Sequence, residues 1–277
     1  MANIVGIDGG NFKVKAVGAA GALSFYSNIC DWFERGVNEQ FGNDDMEFNI
    51  NGRQGFAGSI AKIEDEFGGG NMMGDSKAHD EAKIRILLAL FHYCSDGDDI
   101  KLVVGQPIGQ HTPDEKSKIK KMLIGWHDIE VNNVKKTIFV DEVEIAPEGS
   151  AAIWAIEPTN VKTRILDIGS GTVNAASITE KRKHINTQST TFNFGAETIN
   201  NQDFEAMARG IIKNASKKWH KNDNLLICGG VSEVILPHIK KHFTNASLLR
   251  PVLNGVELHP MYANAVGFYK LARMRYK

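Results

Sequence analysis

The sequence predicts a mixed α/β protein built of two similar halves, on three observations. A short apolar run that meets an aspartate and a glycine turn occurs twice, as Ile-Val-Gly-Ile-Asp-Gly-Gly-Asn at 4–11 and as Ile-Leu-Asp-Ile-Gly-Ser-Gly-Thr at 165–172. The copies stand about 160 residues apart, one domain length. Between and after them, strand-like runs alternate with stretches whose apolar residues recur at helical spacing.

Composition narrows the class. A chain of 277 residues with 42% hydrophobic and 23% charged residues has the balance of a globular protein of two ordinary domains. A formal net charge of −1 gives no bulk attraction to nucleic acid or anionic membrane, so any such contact must be local. Cys30, Cys94 and Cys228 stand far apart with no C-x-x-C pair, which argues against a disulfide framework and structural zinc and favours the cytoplasm. The longest apolar stretch, Ile84–Cys94, is broken by Arg85 and His92 and is too short to span a bilayer. The N-terminus runs straight into a strand pattern, so no signal peptide is expected.

Taken in order, Ile4–Asp8 and Phe12–Gly18 read as a hairpin around Gly9-Gly10, with further strands at Leu23–Ser27 and Met46–Ile50. Gly68-Gly69-Gly70-Asn71 reads as a flexible loop. Asp80–Tyr93 carries Ile84, Leu87, Leu88 and Phe91 at helical spacing; Lys101–Gly105 is a strand, Thr112–Leu123 a lysine-bearing helix, and Lys136–Ile145 one or two strands. Pro147-Glu148 is expected to open a helix to about Ile156, with proline where its missing N–H costs nothing. Thr163–Asp167 and Val173–Ile178 form the second hairpin. A long helix over about Asn200–Trp219, a strand at Leu225–Cys228, and helices over Val231–His242 and about Pro260–Tyr276 complete the chain.

The chemistry lies in the hairpins. A phosphate chain needs backbone N–H groups at close range, and glycine lets the backbone approach. Asp8-Gly9-Gly10-Asn11 and Asp167-Ile168-Gly169-Ser170-Gly171-Thr172 both offer this at the end of an apolar strand. The aspartates would repel phosphate, so their sensible task is to hold Mg²⁺, directly or through its water shell. Lys13 and Lys15 alternate after the first turn and share one strand face, so either can reach a phosphate or simply face solvent. There is no G-x-x-x-x-G-K-[ST] run, which excludes a P-loop, and Gly169-x-Gly171 lacks the third glycine of a dinucleotide site. Glu148 by itself reads as a first-turn carboxylate favouring a helix dipole.

Asp8–Lys13, Glu148, Asp167–Thr172, Leu225–Gly230 and Tyr262–Gly267 occur in the order of the five motifs of the actin/Hsp70/sugar-kinase superfamily. The chain resembles the bacterial actin-like plasmid-segregation proteins of the ParM/AlfA group, AlfA most of all. The resemblance implies the actin/Hsp70/RNase H-like ATPase fold, with two similar domains around a nucleotide cleft. Domain I would comprise 1–147 plus 260–277, with a small subdomain insert at about 29–75, and domain II 148–259. It assigns Glu148 to the attacking water, and Asp8 and Asp167 to catalysis and to Mg²⁺ through water. Gly9, Gly10, Asn11, Phe12, Lys13, Gly169, Ser170, Gly171 and Thr172 fall to the phosphates. Gly229, Gly230 and Val231 fall to the adenosine, and Gly195 to a second nucleotide-side glycine.

Only about 34 residues separate Gly195 from Gly229, room for one helix where ParM-like proteins place an additional small subdomain, IIB. Its absence would leave the base less enclosed and ATP poorly distinguished from GTP. By resemblance, ATP or GTP with Mg²⁺ drives assembly of a homopolymeric filament, hydrolysis weakens it, and a DNA-binding adaptor at a centromere-like plasmid site is the partner. Direct DNA or membrane binding is not expected. A metabolite kinase of the same superfamily is the alternative; Gln106-Pro107 and Asp141 make no clear substrate motif for it.

Overall fold

A computed structural model describes residues 3–65 and 76–276. The Gly68–Asn71 loop lies outside the described residues. The chain divides into two compact units, one of Met1–Val104, Thr112–Glu144 and Ala272–Lys277, the other of Gly105–His111 and Ile145–Leu271.

The first unit is built on a nine-stranded sheet. Its strands are β1 (Asn3–Gly9), β2 (Lys13–Gly18), β3 (Gly21–Tyr26), β4 (Ile29–Asp31), β5 (Met46–Ile50) and β6 (Arg53–Ala57). Three more follow: β7 (Asp99–Gln106), β8 (Gly125–Val131) and β9 (Val134–Pro147). The order across the sheet is β3-β2-β1-β7-β9-β8-β5-β6-β4. β1 pairs antiparallel with β2 and parallel with β7, which places it centrally. Burial on both faces explains its near-continuous apolar sequence. Three helices accompany the sheet: α1 (Ser59–Glu64), α2 (Asp80–Phe91) and α3 (Pro113–Leu123). α2 starts where the His79 ring accepts from the Ala82 N–H, and α3 where the Thr112 hydroxyl accepts from Glu115 N–H with Pro113 in the first turn.

β8 has little sequence signal beyond a short alternation, with His127, Ile129 and Val131 inside and Trp126 and Asp128 outside. Pairing with β5 and β9 is what makes it a strand. Lys120 and Arg275 both reach Glu144, and Lys118 pairs with Asp114 and Glu115, so part of the basic surface is neutralised locally.

The second unit has a five-stranded sheet ordered β12-β11-β10-β13-β14. The strands are β10 (Thr163–Ile168), β11 (Val173–Ile178), β12 (Thr190–Phe192), β13 (Asn224–Gly229) and β14 (Ala246–Leu248). Every residue of β10 and β11 is buried. α4 (Phe204–Ala215), α5 (Ser232–Lys240) and α6 (Ala263–Arg275) are its helices, α6 running on into residues of the first unit. The core joins Leu166, Ile168, Ile211, Leu225, Ile227, Ile235 and Phe243.

Two sequence expectations are corrected. No α-helix opens at Pro147-Glu148: β9 runs through Pro147, Gly149 takes φ +71°, and a 3-10 helix covers Ala151–Ala155. The reason is that the Glu148 N–H donates to Gln106 O (2.9 Å), and a left-handed glycine cannot continue an α-helix. The helix expected over Asn200–Trp219 is shorter. Asn201 and Gln202 have positive φ, the Asp203 carboxylate caps Ala206 N–H at 2.8 Å, and α4 ends at Ala215. Trp219 is buried beyond it, its ring N–H donating to Gln188 O.

In the turn that follows β11, Arg182 has φ +57° and its guanidinium lies over Trp154 while donating to Ile156 O. Among the described residues no helix is long and apolar enough to cross a membrane.

Candidate functional site

In the first unit, Gly9 pairs with Val14 and leaves Gly10–Lys13 to make the turn. A Cβ at Gly10 would stand 2.8 Å from Lys15 Nζ and 2.9 Å from Lys13 O, so this corner is shaped for glycine. Ser27 braces the turn twice, its hydroxyl donating to Gly10 O and its N–H to Phe12 O. Arg85, itself buried, donates to Ser27 O.

The aspartate and the two lysines are sorted by register. Asp8 lies opposite Lys15 across the ladder, and Lys15 Nζ is 3.2 Å from Asp8 Oδ2. Lys13 pairs with Tyr26 on the other side of β2, and its ammonium lies 4.7 Å from that ring's centroid. Phe12 packs edge-on against the same ring and is 41% exposed. Asn11 stands at the turn's apex beside it, half-buried.

The second unit gathers Glu148 and Asp167, both buried. Asn174, opposite Asp167 in the β10–β11 ladder, donates through one amide nitrogen to Glu148 Oε2 (3.2 Å) and Asp167 Oδ2 (3.4 Å). Its own oxygen accepts from Ile108 N–H and the Thr191 hydroxyl, which fixes the amide's orientation. Asn264 Nδ2 donates to Asp167 Oδ2 (2.9 Å), and the Cys228 thiol, on the parallel neighbour strand, lies 3.8 Å from Oδ1. Buried carboxylates with N–H donors on their oxygens are acceptors held in fixed directions. Gly105 makes room for the Glu148 stem, since a Cβ there would approach Glu148 Cγ to 2.9 Å.

The Gly169–Thr172 loop closes through a Gly169 N–H to Thr172 O bond. It is latched from outside by Ala196 N–H to Gly169 O and Glu197 N–H to Ser170 O, both 2.9 Å. Gly195 permits that approach, because a Cβ there would meet Ser170 O at 2.4 Å. Ser170 and Gly171 sit at the loop tip, half-buried. Gly229 ends β13 at φ +104°, where a Cβ would stand 2.1 Å from Ile168 O; Gly230 has open space and Val231 caps α5.

The second-unit residues Glu148, Asp167, Gly169–Thr172, Gly195 and Gly229–Val231 are thus tied through β10 and its neighbours. Asp8–Lys13 form their own cluster in the first unit. Sequence reasoning passes over Asn174, and it includes Cys228 and Asn264 only within the motif runs Leu225–Gly230 and Tyr262–Gly267, with no role of their own. Asn174 and Cys228 face Asp167 only through strand register, and Asn264 comes from a helix 97 residues on. Lys15 is visible in the sequence, but only the ladder singles it out over Lys13.

The mixed sheets, with a glycine-turned hairpin beside a buried Glu-Asp pair, are those of an actin-like fold, as comparison with known proteins shows. The family described as actin-like proteins, N-terminal domain, matches residues 6–150, more than half of the chain, so this chain belongs to the actin-like proteins. The fold is shared with an AlfA filament bound to AMPPNP at TM-score 0.81 and 19% identity, covering 100% of both chains. A 15-stranded ParM filament from Clostridium botulinum matches at TM-score 0.77 and 17% identity over 99% of both chains. Ta0583, an archaeal actin homolog, in complex with ADP, matches at 0.73 and 17% over 99% of this chain and 100% of that one. A comparison with curated proteins gave no match.

Proposed function

We propose that this chain is a nucleotide-dependent, filament-forming hydrolase that uses ATP or GTP with Mg²⁺ and serves plasmid segregation in a bacterial cytoplasm. The observation that carries it is the buried pair Glu148 and Asp167, tied together by the Asn174 amide. The AMPPNP and ADP complexes and the AlfA and ParM filaments among its structural neighbours support it.

The donor chemistry suits magnesium. Among the described residues no group of three or more His, Cys, Asp or Glu converges on a point, so a cation caged by protein alone is not built. Magnesium retains most of its waters and needs only one or two carboxylates beside substrate phosphates, and Asp8 and Asp167 are each a buried carboxylate suited to that task. When bound, the magnesium nucleotide supplies the phosphoryl group and offsets its charge. The protein's share would be positioning: backbone N–H groups of Gly10–Phe12 and of Ser170–Thr172 would serve as phosphate donors, and Lys15 would add a positive charge. Glu148 orients a water and accepts its proton. Gly229-Gly230 and Val231 lie against the nucleoside, with Gly195 holding the phosphate loop.

Between Gly195 and β13 the chain has only turns, a short 3-10 helix at Asn200–Gln202 and α4. With so little chain near the base, ATP and GTP turnover should differ by less than about tenfold, under ~1.4 kcal/mol of discrimination. In the cell the filament's partner would be a DNA-binding adaptor at a centromere-like plasmid site.

Sedimentation and light scattering with Mg-ATP test the proposal. Assembly accompanied by phosphate release is expected. A chain that stays monomeric at high concentration while phosphorylating a small metabolite would be a kinase of the same fold.

A further inference from the structure

We infer that Asn264 is a positioning residue that locks Asp167 to the turn carrying Glu148; this deepens, and rests on, the hydrolase reading above. Asn264 is the second residue of α6 and is buried. Its side chain makes two bonds with opposite demands. The Gly149 N–H donates to its Oδ1 (2.9 Å), and its Nδ2 donates to Asp167 Oδ2 (2.9 Å). Only the amide oxygen can accept from Gly149, so the nitrogen is forced toward Asp167.

Gly149 directly follows Glu148 and is left-handed at φ +71°. A Cβ on it would lie 3.1 Å from Asn174 Cβ and 3.3 Å from Asp167 Cβ, so the turn rests on both residues. The helix bearing Asn264 is equally fixed. A Cβ on Gly267, one turn along α6, would meet Ala151 O at 2.2 Å, so the helix lies directly on the backbone that follows Glu148. Asn174 joins the two carboxylates side chain to side chain. Asn264 joins the Asp167 carboxylate to the Glu148 backbone. With both links the pair is held at both ends, the condition for a water and a metal-bound phosphate to meet in one geometry.

The test uses the intact chain, two variants and one double-mutant cycle. Asn264→Asp keeps the acceptor for Gly149 but replaces the donor to Asp167 with a second carboxylate oxygen that repels it; Asn264→Ala loses both bonds. For single-turnover phosphate release, both variants should be slowed roughly tenfold or more, the scale of one unsatisfied buried partner, with Mg-ATP affinity within about threefold. In an Asp167→Asn background the Asn264→Ala effect on the rate should shrink below about twofold, since a residue acting through another loses its effect when that other is altered. Amide exchange at Gly149, read without nucleotide, should accelerate in Asn264→Ala and stay protected in Asn264→Asp. The inference is overturned by a wild-type rate in Asn264→Asp, by additive effects in the cycle, or by unchanged Gly149 exchange in Asn264→Ala. If Asn264→Ala does not fold, the Asn264→Asp rate and exchange decide alone. A wild-type chain that hydrolyses neither nucleotide would sink the hydrolase reading instead, with the Gly149 exchange result unaffected.

Discussion

Lys15 and Asp8 face one another across the β1–β2 ladder, with Nζ 3.2 Å from Oδ2, while Lys13 on the same strand lies over Tyr26. Two lysines that look equivalent in sequence are therefore different chemically. One sits at the base of the glycine turn beside a buried carboxylate; the other rests on an aromatic ring.

That difference predicts unequal effects on nucleotide affinity. Lys15→Ala should weaken Mg-ATP binding roughly tenfold or more, the loss of a charge-assisted contact. Lys13→Ala should change it less than about threefold. Isothermal titration of both variants checks the order, and a reversed order would return Lys13 to the phosphate.

Glu148→Gln keeps the acceptor for the Asn174 amide but removes the proposed base. Phosphate release should fall by roughly 10²-fold with little change in Mg-ATP affinity, the range for a positioned general base. Single-turnover release with a phosphate sensor is the measurement, and equal turnover would remove Glu148 from the chemistry.

Neighbouring glycines in the proposed nucleoside loop should respond unequally to alanine. At Gly229 a Cβ would enter Ile168 O at 2.1 Å with φ at +104°, so Gly229→Ala should cost at least about 2 kcal/mol and lower Tm by several degrees. Gly230→Ala meets open space and should unfold within about 0.5 kcal/mol of the parent. Thermal and urea unfolding of the pair distinguishes them.

Acid should destabilise the first unit through His127. This ring is buried, its Nε2–H donating to Leu123 O (2.7 Å) and its Nδ1 facing the Asn51 amide nitrogen at 3.4 Å. Asn51 cannot turn its oxygen inward, because that oxygen accepts from Asp128 N–H. Burial is the main cause that holds the His127 pKa below the usual 6.5; the Leu123 bond and Asp128 oppose it, and Lys83 adds to it. The native state thus binds its proton less readily than the unfolded chain. The neutral-His contribution is complete above pH 6.5 and is lost as pH falls below it. Urea unfolding from pH 7.5 to 5.5 should show a steeper loss for the parent than for His127→Gln. His79 and His184, half-buried, and His92, whose pKa values are shifted the same way, add to the slope of both.

Much of the fold was legible because the strongest signals are local. Met46–Ile50 and Val173–Ile178 have the same bounds in sequence and structure, and Thr112 caps α3 where its pattern begins. The errors have two different causes. At Pro147-Glu148 a residue pair common at helix starts is overridden by one long-range bond from Glu148 N–H to Gln106 O. At Asn200–Trp219 a long helical pattern is cut by Asp203, whose capping role competes with helix continuation.

The sequence by itself determined that two Asp-glycine hairpins recur, that both end apolar strands, and that they occur in the motif order of the actin-like proteins. Those are properties of neighbours along a chain, where strand burial and glycine turns leave their mark in composition. Tertiary structure decided which side chains stand beside the aspartates. Lys15 reaches Asp8, and Asn174 and Cys228 reach Asp167, because strand pairing sets residues opposite one another; Asn264 arrives on a helix from 97 positions away. Register and packing are set by contacts between distant segments, and no local pattern in this chain encodes them.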